Sequence, residues 1–265
     1  MFKNGEYEKI RINLISQYMK ILLFIKINFL IFFGIYYYKY NYQLSFTPYS
    51  PKIIQIKVRG GKLAKIGIIS DSQLKKNIST NFFNFYAYNM YRALKIFQKN
   101  NIDIIILAGD ITFDGKIINY LYFNEIYNSV YENHKRPILI SLMGNHDYMD
   151  KNCSKLGNQK KFFKYMNSYP FSHYLINNYN FIFFSYSFIT KGDFKKEEYS
   201  WLKSKIKDAR KRIKKVGDPI FIISHMPPLK TVYGSENILG DKALYDILKN
   251  YSEVIYGMIP PNIVV

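Results

Sequence analysis

The sequence contains only one cysteine among 265 residues. Because a single thiol has no partner, Cys153 excludes an intramolecular disulfide framework and a zinc site built from cysteines. Acidic residues are scarce as well: 19 Asp and Glu stand against 38 Lys and Arg, which gives a formal net charge of +19. An excess of this size favours attraction to phosphates and to anionic lipid. No internal repeat is visible, and a hydrophobic content of 48% excludes a disordered chain.

Aromatic residues are abundant, with 26 Tyr and 21 Phe. They belong to a bias towards Lys, Asn, Ile, Tyr and Phe that runs through every segment, which indicates a base-composition effect of the genome. The aromatic count therefore carries little information about function. The length predicts one sizeable domain with accessory segments.

One long apolar run, Ile21–Tyr38, lies near the start of the chain and is interrupted only by Lys26 and Asn28. As a helix, its eighteen residues would rise roughly 27 Å, close to the roughly 30 Å of a bilayer core. The three tyrosines at its end resemble an interfacial aromatic belt. We interpret residues 21–38 as a single-pass transmembrane anchor. The alternatives are a buried helix of a soluble domain and a cleaved signal peptide, and residues 36–42 lack the small side chains of a cleavage site.

The segments around this run complete the predicted organisation. Residues 1–20 form an N-terminal tail, and four basic residues before the run against three after it do not predict an orientation in the membrane. Residues 39–61 contain two prolines and two glycines and are predicted to form a linker with one short strand at 53–58. Residues 62–265 then make up the domain.

Four apolar runs in that domain read as buried strands, and each is followed within three residues by side chains that can bind a metal. Predicted helices at Phe82–Lys99 and Tyr120–Glu132 separate the first three runs, which is typical of a mostly parallel sheet with βαβ units. The carboxyl ends of parallel strands share one edge, where ligands bind. The runs are Lys65–Ser70, Ile102–Ala108, Pro137–Leu142 and Pro219–Ser224, and the residues that follow them are Asp71, Asp110, Asn145 with His146, and His225.

Carboxylates, an amide oxygen and neutral imidazole together suit divalent ions such as Mn, Fe, Co or Zn. One carboxylate can bridge two cations, and two cations can hold a hydroxide for attack on phosphorus. Taken singly, an aspartate after a strand is commonly a helix cap, and a lone histidine is commonly structural. Four such residues in register at strand ends favour a metal site.

The motifs I-S-D-S-Q, L-A-G-D, M-G-N-H-D and I-S-H, in this order, resemble the calcineurin-like metallophosphoesterase superfamily. Its pattern is D-x-H, G-D, G-N-H-D/E, a lone H and then G-H-x-H. The segment E-E-Y-S-W-L-K-S-K-I also resembles the helix that precedes the lone-histidine strand in that family. The resemblance runs from about Lys62 to the end of the chain. It implies an α/β four-layered sandwich, with two mixed β-sheets flanked by helices and a dinuclear site that hydrolyses a phosphate mono- or diester.

The resemblance also implies roles for individual residues. Asp71 would bind the first metal, Asp110 would bridge both, and Asn145 and His225 would bind the second. His146 would stabilise the transition state or protonate the leaving oxygen. Asp147 would orient His146.

Two departures from the family pattern affect the expected activity. Gln73 stands where the first motif has histidine, and its amide oxygen is a weaker ligand. Val254–Gly257 resembles the strand before G-H-x-H, but Met258 and Pro260 stand where the two histidines belong. With the chain ending at Val265, we expect either that the C-terminal part of the fold is truncated by a lost or misread gene end, or that the protein is a non-catalytic relative.

A basic helix is predicted before the fourth strand, and eight Lys and Arg residues occupy positions 203–215. Its apolar stripe, which includes Trp201, Leu202 and Ile206, predicts packing of one face on the sheet. The basic face is then either an ordinary solvated surface or a phosphate-binding surface. For a tethered domain, anionic lipid is the favoured partner over nucleic acid. No feature of the sequence predicts an oligomeric state.

Overall fold

The computed structural model describes residues 47–58, 64–76, 84–185, 196–213, 215, 218–231, 235–236 and 240–257. The predicted tail and anchor, residues 1–38, lie outside these ranges, as do Met258 and Pro260. No helix within the described ranges is long and apolar enough to cross a membrane. Part of the predicted linker is described, and it supplies the first strand of a sheet.

The described chain alternates strands and helices. In chain order the elements are β1 (Ile54–Ile56), β2 (Ile66–Ile69), α1 (Phe85–Lys99), β3 (Ile104–Ala108), α2 (Ile117–Tyr131), β4 (Ile138–Leu142), a short 3₁₀ helix (His146–Tyr148), α3 (Lys155–Met166), β5 (Phe171–Ile176), β6 (Tyr179–Phe184), α4 (Lys196–Arg210), β7 (Ile220–Ser224), α5 (Lys242–Leu248) and β8 (Val254–Gly257).

These strands form two sheets. The larger has the order β1-β5-β6-β7-β8 and is mixed, because β5 and β6 pair antiparallel while the other neighbours are parallel. The smaller has the order β2-β3-β4. Two mixed sheets were expected, but the three strands described for the smaller sheet are all parallel. The carboxyl ends of β2, β3 and β4 therefore share one edge.

Three apolar clusters hold the layers together. The first packs α1, α2 and α3 against the outer face of the smaller sheet. The second lies between the two sheets and includes Ile104, Ile106 and Phe183. The third packs α4 and α5 against the outer face of the larger sheet. The order helices, sheet, sheet, helices confirms a sandwich of α/β type. All five side chains of β3 are buried, as expected of a strand covered on both faces.

Several local structures differ from the sequence prediction, and helix α2 begins at Ile117 instead of Tyr120. Helix α1 begins at Phe85 instead of Phe82, because the side chain of Asn84 caps it by accepting from the Ala87 N–H at 3.1 Å. The segment around His173, for which no strand was predicted, is strand β5. It forms a hairpin with β6 through Asn177 and Asn178, which adopt φ values of 46° and 72°.

Candidate metal centre

The loops after β2 and β3 bring two carboxylates side by side. Asp71 and Asp110 are the second residues after the ends of β2 and β3, and they adopt left-handed φ values of 56° and 51°. Backbone bonds continue the pairing beyond the sheet, since the Asp71 N–H donates to the Gly109 carbonyl at 3.1 Å and the Gln73 N–H donates to the Asp110 carbonyl at 2.8 Å. Short polar side chains tolerate this conformation, so both aspartates can turn towards the sheet edge.

His225 enters from the other sheet, at the end of β7. Its Nδ1 lies 3.0 Å from the Ala108 carbonyl, and its Nε2 lies 3.4 Å from Asp110 Oδ2. A proton on Nδ1, shared with the carbonyl, leaves Nε2 as the nitrogen that can bind a metal. The approach is close: a Cβ at Gly109 would lie 2.7 Å from the His225 side chain. Gly109, with a φ of 95°, therefore satisfies both the turn and the contact.

The loop after β4 supplies Asn145. Its Oδ1 lies 3.2 Å from His225 Nε2, so the amide oxygen joins the same group of atoms. The preceding Gly144 allows this approach, because a Cβ there would lie 2.1 Å from Asp110 Oδ1. One ligand atom from each of Asp71, Asp110 and His225 lies within 4.8 Å of the others. Two carboxylates, an imidazole and an amide oxygen are a donor set that fits a borderline divalent cation.

Strong mutual interactions govern the protonation of this group. Burial alone would lower the pKa of His225, but the hydrogen bond and charge of Asp110, followed by the charge of Asp71, raise it to about 9. Burial works to raise the pKa of Asp110, yet the hydrogen bond and charge of His225 lower it overall. Burial raises the pKa of Asp71. A metal would compete with the His225 proton, because imidazole binds metals in its neutral form.

His146 lies at the rim of the group. Its backbone N–H donates to Asp110 Oδ1 at 2.8 Å, its Nδ1 lies 2.7 Å from the Phe113 carbonyl, and its Nε2 lies 3.9 Å from Asp110 Oδ2. The ring is thus held on one side by a backbone acceptor and directs its other nitrogen towards the carboxylates. Phe113 was not singled out from the sequence, since a backbone carbonyl leaves no signal in residue type.

Asp147, which was expected to orient His146, makes different contacts. Its carboxylate is fully buried and accepts bonds from the backbone N–H groups of Ile111, Thr112 and Gly144 at 3.0 to 3.2 Å. The Thr112 hydroxyl donates to it at 2.8 Å and the Tyr120 hydroxyl at 3.3 Å. Burial, followed by the charge of Asp110, raises the pKa of Asp147 to about 6 against the effect of these bonds. Asp147 therefore joins the loop after β3 to the loop after β4.

The remaining predicted ligand, Gln73, also lies at the site. It adopts a φ of 41°, and its Nε2 donates to Asp110 Oδ2 at 3.4 Å. Rotation of the amide would bring its oxygen to the same place.

His173 lies away from the site: it is buried on β5, and its Nε2 is 2.9 Å from Asn180 Oδ1. Strand β8 ends at Gly257, which pairs with Ile223 of β7. Ile223 precedes His225 by two residues, so β8 ends near the His225 end of β7.

Comparison with known proteins identifies the fold. A sequence model of the calcineurin-like phosphoesterase family matches residues 64–257. Among curated proteins, none matches the chain. A solved structure similar to this one is a dimetal phosphatase from Danio rerio, at a TM-score of 0.51 and 12% identity, over 73% of this chain and 80% of that one.

Two further solved structures are similar at lower scores. One is GAP50, the anchor in the inner membrane complex of Plasmodium, at a TM-score of 0.43 and 16% identity, over 71% of this chain and 62% of that one. The other is the purple acid phosphatase PPD1 from yellow lupin, Lupinus luteus, at a TM-score of 0.46 and 14% identity, over 75% of this chain and 38% of that one. The family match spans most of the chain and contains every residue of the site described above. The chain belongs to the calcineurin-like phosphoesterase family.

Proposed function

We propose that this protein is a metal-dependent phosphoesterase that hydrolyses a phosphate mono- or diester. One observation carries the proposal: Asp71, Asp110 and His225 come from three strand ends in two sheets, and their ligand atoms lie within 4.8 Å of one another. Such convergence is rare without a functional reason, because it brings two acids together in a partly buried place.

The residues present suit two divalent cations of the series Mn, Fe, Co and Zn. Asp71 and Gln73 would hold the first, Asn145 and His225 the second, and Asp110 would contact both. When bound, the cations would lower the pKa of water and neutralise charge on the phosphoryl oxygens. The described ligands all come from strand ends and the loops after them, so the sandwich holds them in position.

His146 is the proposed acid. With Nδ1 against the Phe113 carbonyl, a protonated ring presents Nε2–H towards the site and can donate to the phosphoryl or leaving-group oxygen. A proton donor in this position does not need to bind a metal.

Replacing His146 by alanine distinguishes a proton donor from a metal ligand. In the purified chain with added Mn, His146→Ala is expected to lower kcat for an aryl phosphate mono- or diester by about 10²- to 10⁴-fold, the usual contribution of a general acid. Metal content, measured by mass spectrometry of the dialysed protein, should stay nearly unchanged. If turnover and metal content fall together, His146 acts as a ligand and the proposed role is wrong.

A second candidate function is that of a non-catalytic relative. The sequence after β8 favours it, because Met258 and Pro260 offer poor or no ligands where G-H-x-H is expected, and Gln73 replaces a histidine. The same experiment discriminates the candidates. A chain that binds metal yet hydrolyses neither an aryl monoester nor an aryl diester, with any of the four metals, is the non-catalytic relative.

We further propose that residues 21–38 anchor the chain in a membrane and that α4 contacts anionic lipid. The length and apolar character of the run support the anchor. On α4, Lys203 and Lys207 are exposed one turn apart, and exposed Lys211 follows after a further turn.

Flotation with lipid vesicles tests both parts. The full chain is expected to float with neutral and anionic vesicles, since an apolar helix inserts into either. A variant lacking residues 21–38 should float only with phosphatidylserine vesicles. When this variant also carries Lys203→Gln, Lys207→Gln and Lys211→Gln, it should float with neither kind of vesicle. If the full chain fails to float with neutral vesicles, the run is not an anchor. If the triple substitution leaves flotation unchanged, α4 is not the contact.

A further inference from the structure

A cavity of about 1000 Å³ adjoins the candidate metal centre. It lies between the loop after β3 and the segment that joins β4 to α3. Its volume is at the upper end for small-molecule sites, which run from roughly 300 to 1000 Å³. Both of these segments contribute side chains to the lining, which include Phe113, Asn145, Tyr148, Met149 and Lys151.

The cavity and the metal centre share a boundary. Asn145 lines the cavity while its Oδ1 lies 3.2 Å from His225 Nε2. Phe113 lines the cavity as well, and its ring centroid lies 5.6 Å from that of His146. The cavity therefore opens beside Asn145, one of the proposed metal ligands. The group esterified to a phosphate held by those ligands would lie next to the cavity.

The lining of the cavity includes two large apolar side chains that are exposed. Phe113 is 38% exposed and Met149 is 48% exposed, although both are large hydrophobic side chains. One side of the Phe113 ring faces a cation, with Lys75 Nζ 4.5 Å from the ring centroid. A phenylalanine ring and a thioether both pack well against an aromatic ring. Lys151 also lines the cavity, and it lies within 4.0 Å of no carboxylate in the described part of the chain.

We propose that this cavity binds the leaving group and that the substrate is a phosphate ester with an aromatic ring in that group. This inference rests on the proposed phosphoesterase function for the position of the phosphate. Phe113 and Met149 are the specificity-determining side chains, since they are the exposed large apolar side chains of the lining. A small alkyl leaving group would leave these side chains in contact with water.

Calorimetric titration of the full chain with Mn tests the proposal without turnover. Phenylphosphonate is expected to bind about tenfold more tightly than methylphosphonate, because only the phenyl ring reaches these apolar side chains. Phe113→Ala and Met149→Ala should each reduce this preference to about twofold. Tyr179→Ala removes an aromatic side chain of comparable exposure from β6, which does not line the cavity, and should leave the preference at about tenfold. Melting curves of each variant establish that it is folded.

The outcomes separate this inference from the proposed function. Equal binding of the two phosphonates by the unmodified chain overturns the leaving-group site, even if aryl and methyl phosphates are hydrolysed. A phenyl preference that persists in folded Met149→Ala overturns the assignment to this cavity. A preference that both substitutions remove supports the site; if phenyl phosphate is nevertheless not hydrolysed, the proposed function fails and the site is that of a binding protein.

Discussion

Replacing Asp110 by asparagine is expected to lower metal affinity by at least about a hundredfold and to remove metal-stimulated hydrolysis. Asp110 is 2% exposed and lies at the centre of the site, with Oδ2 3.4 Å from His225 Nε2 and Oδ1 bonded to the His146 N–H. Asparagine keeps the shape but removes the charge that a shared cation requires. Its oxygen can still accept from His146, so the fold should be retained.

The matched control for this change is Asp246→Asn on α5. Asp246 is also an aspartate in ion pairs, with Lys242 and Lys249, but it lies at the surface of the outer helical layer. Isothermal titration with Mn should give the unmodified affinity for this variant. If Asp110→Asn binds Mn as tightly as the control does, the metal is held elsewhere and the proposed centre is wrong.

Removing the carboxylate of Asp147 is expected to lower the free energy of unfolding by about 3 to 5 kcal/mol. The change Asp147→Ala leaves the buried N–H groups of Ile111, Thr112 and Gly144 without their acceptor, and water cannot reach them easily. It also separates the loop that carries Asp110 from the loop that carries Asn145. Urea unfolding followed by circular dichroism measures the loss.

Asp208→Ala on α4 serves as the control, because that side chain is 41% exposed and faces Lys205 across 3.9 Å. Its removal should change stability by less than about 0.5 kcal/mol. The loss of stability caused by Asp147→Asn should lie between the losses caused by Asp208→Ala and Asp147→Ala. The amide oxygen can accept from some of the donors, but the NH₂ group cannot accept from the others. An Asp147→Ala variant within about 1 kcal/mol of the unmodified protein would show that the loops are held by other contacts.

The strand ends of the site could be predicted from the sequence because the signal is local. Buried parallel strands are short apolar runs, and β3 and β7 are each bounded by residues that end a strand. Once the runs are known to be parallel, the position of Asp71 and Asp110 at one edge follows from topology alone. The approach of His225 from the second sheet is not local, and the resemblance to a family implied it.

Side-chain direction was beyond prediction where the chain leaves regular structure. His146 and Asp147 are neighbours in a 3₁₀ helix, and one turns to the site rim while the other turns into the core. Residue type and spacing do not distinguish these directions. Strand β5 was missed for another reason: Ser172 and His173 interrupt its apolar pattern, yet both are buried, and the His173 Nε2 lies 2.9 Å from Asn180 Oδ1.

The left-handed residues at the sheet edge have a thermodynamic consequence. Asp71, Gln73 and Asp110 adopt φ values of 56°, 41° and 51°, and none of them is glycine. Each such residue costs roughly 1 kcal/mol or more, a considerable sum for a domain whose net stability is on the order of 5 to 15 kcal/mol. The free energy of folding therefore offsets the cost of placing the ligands in this backbone conformation. A cation that arrives at this edge meets a preorganised set of donors, and little of its binding energy is lost to reorganising the chain.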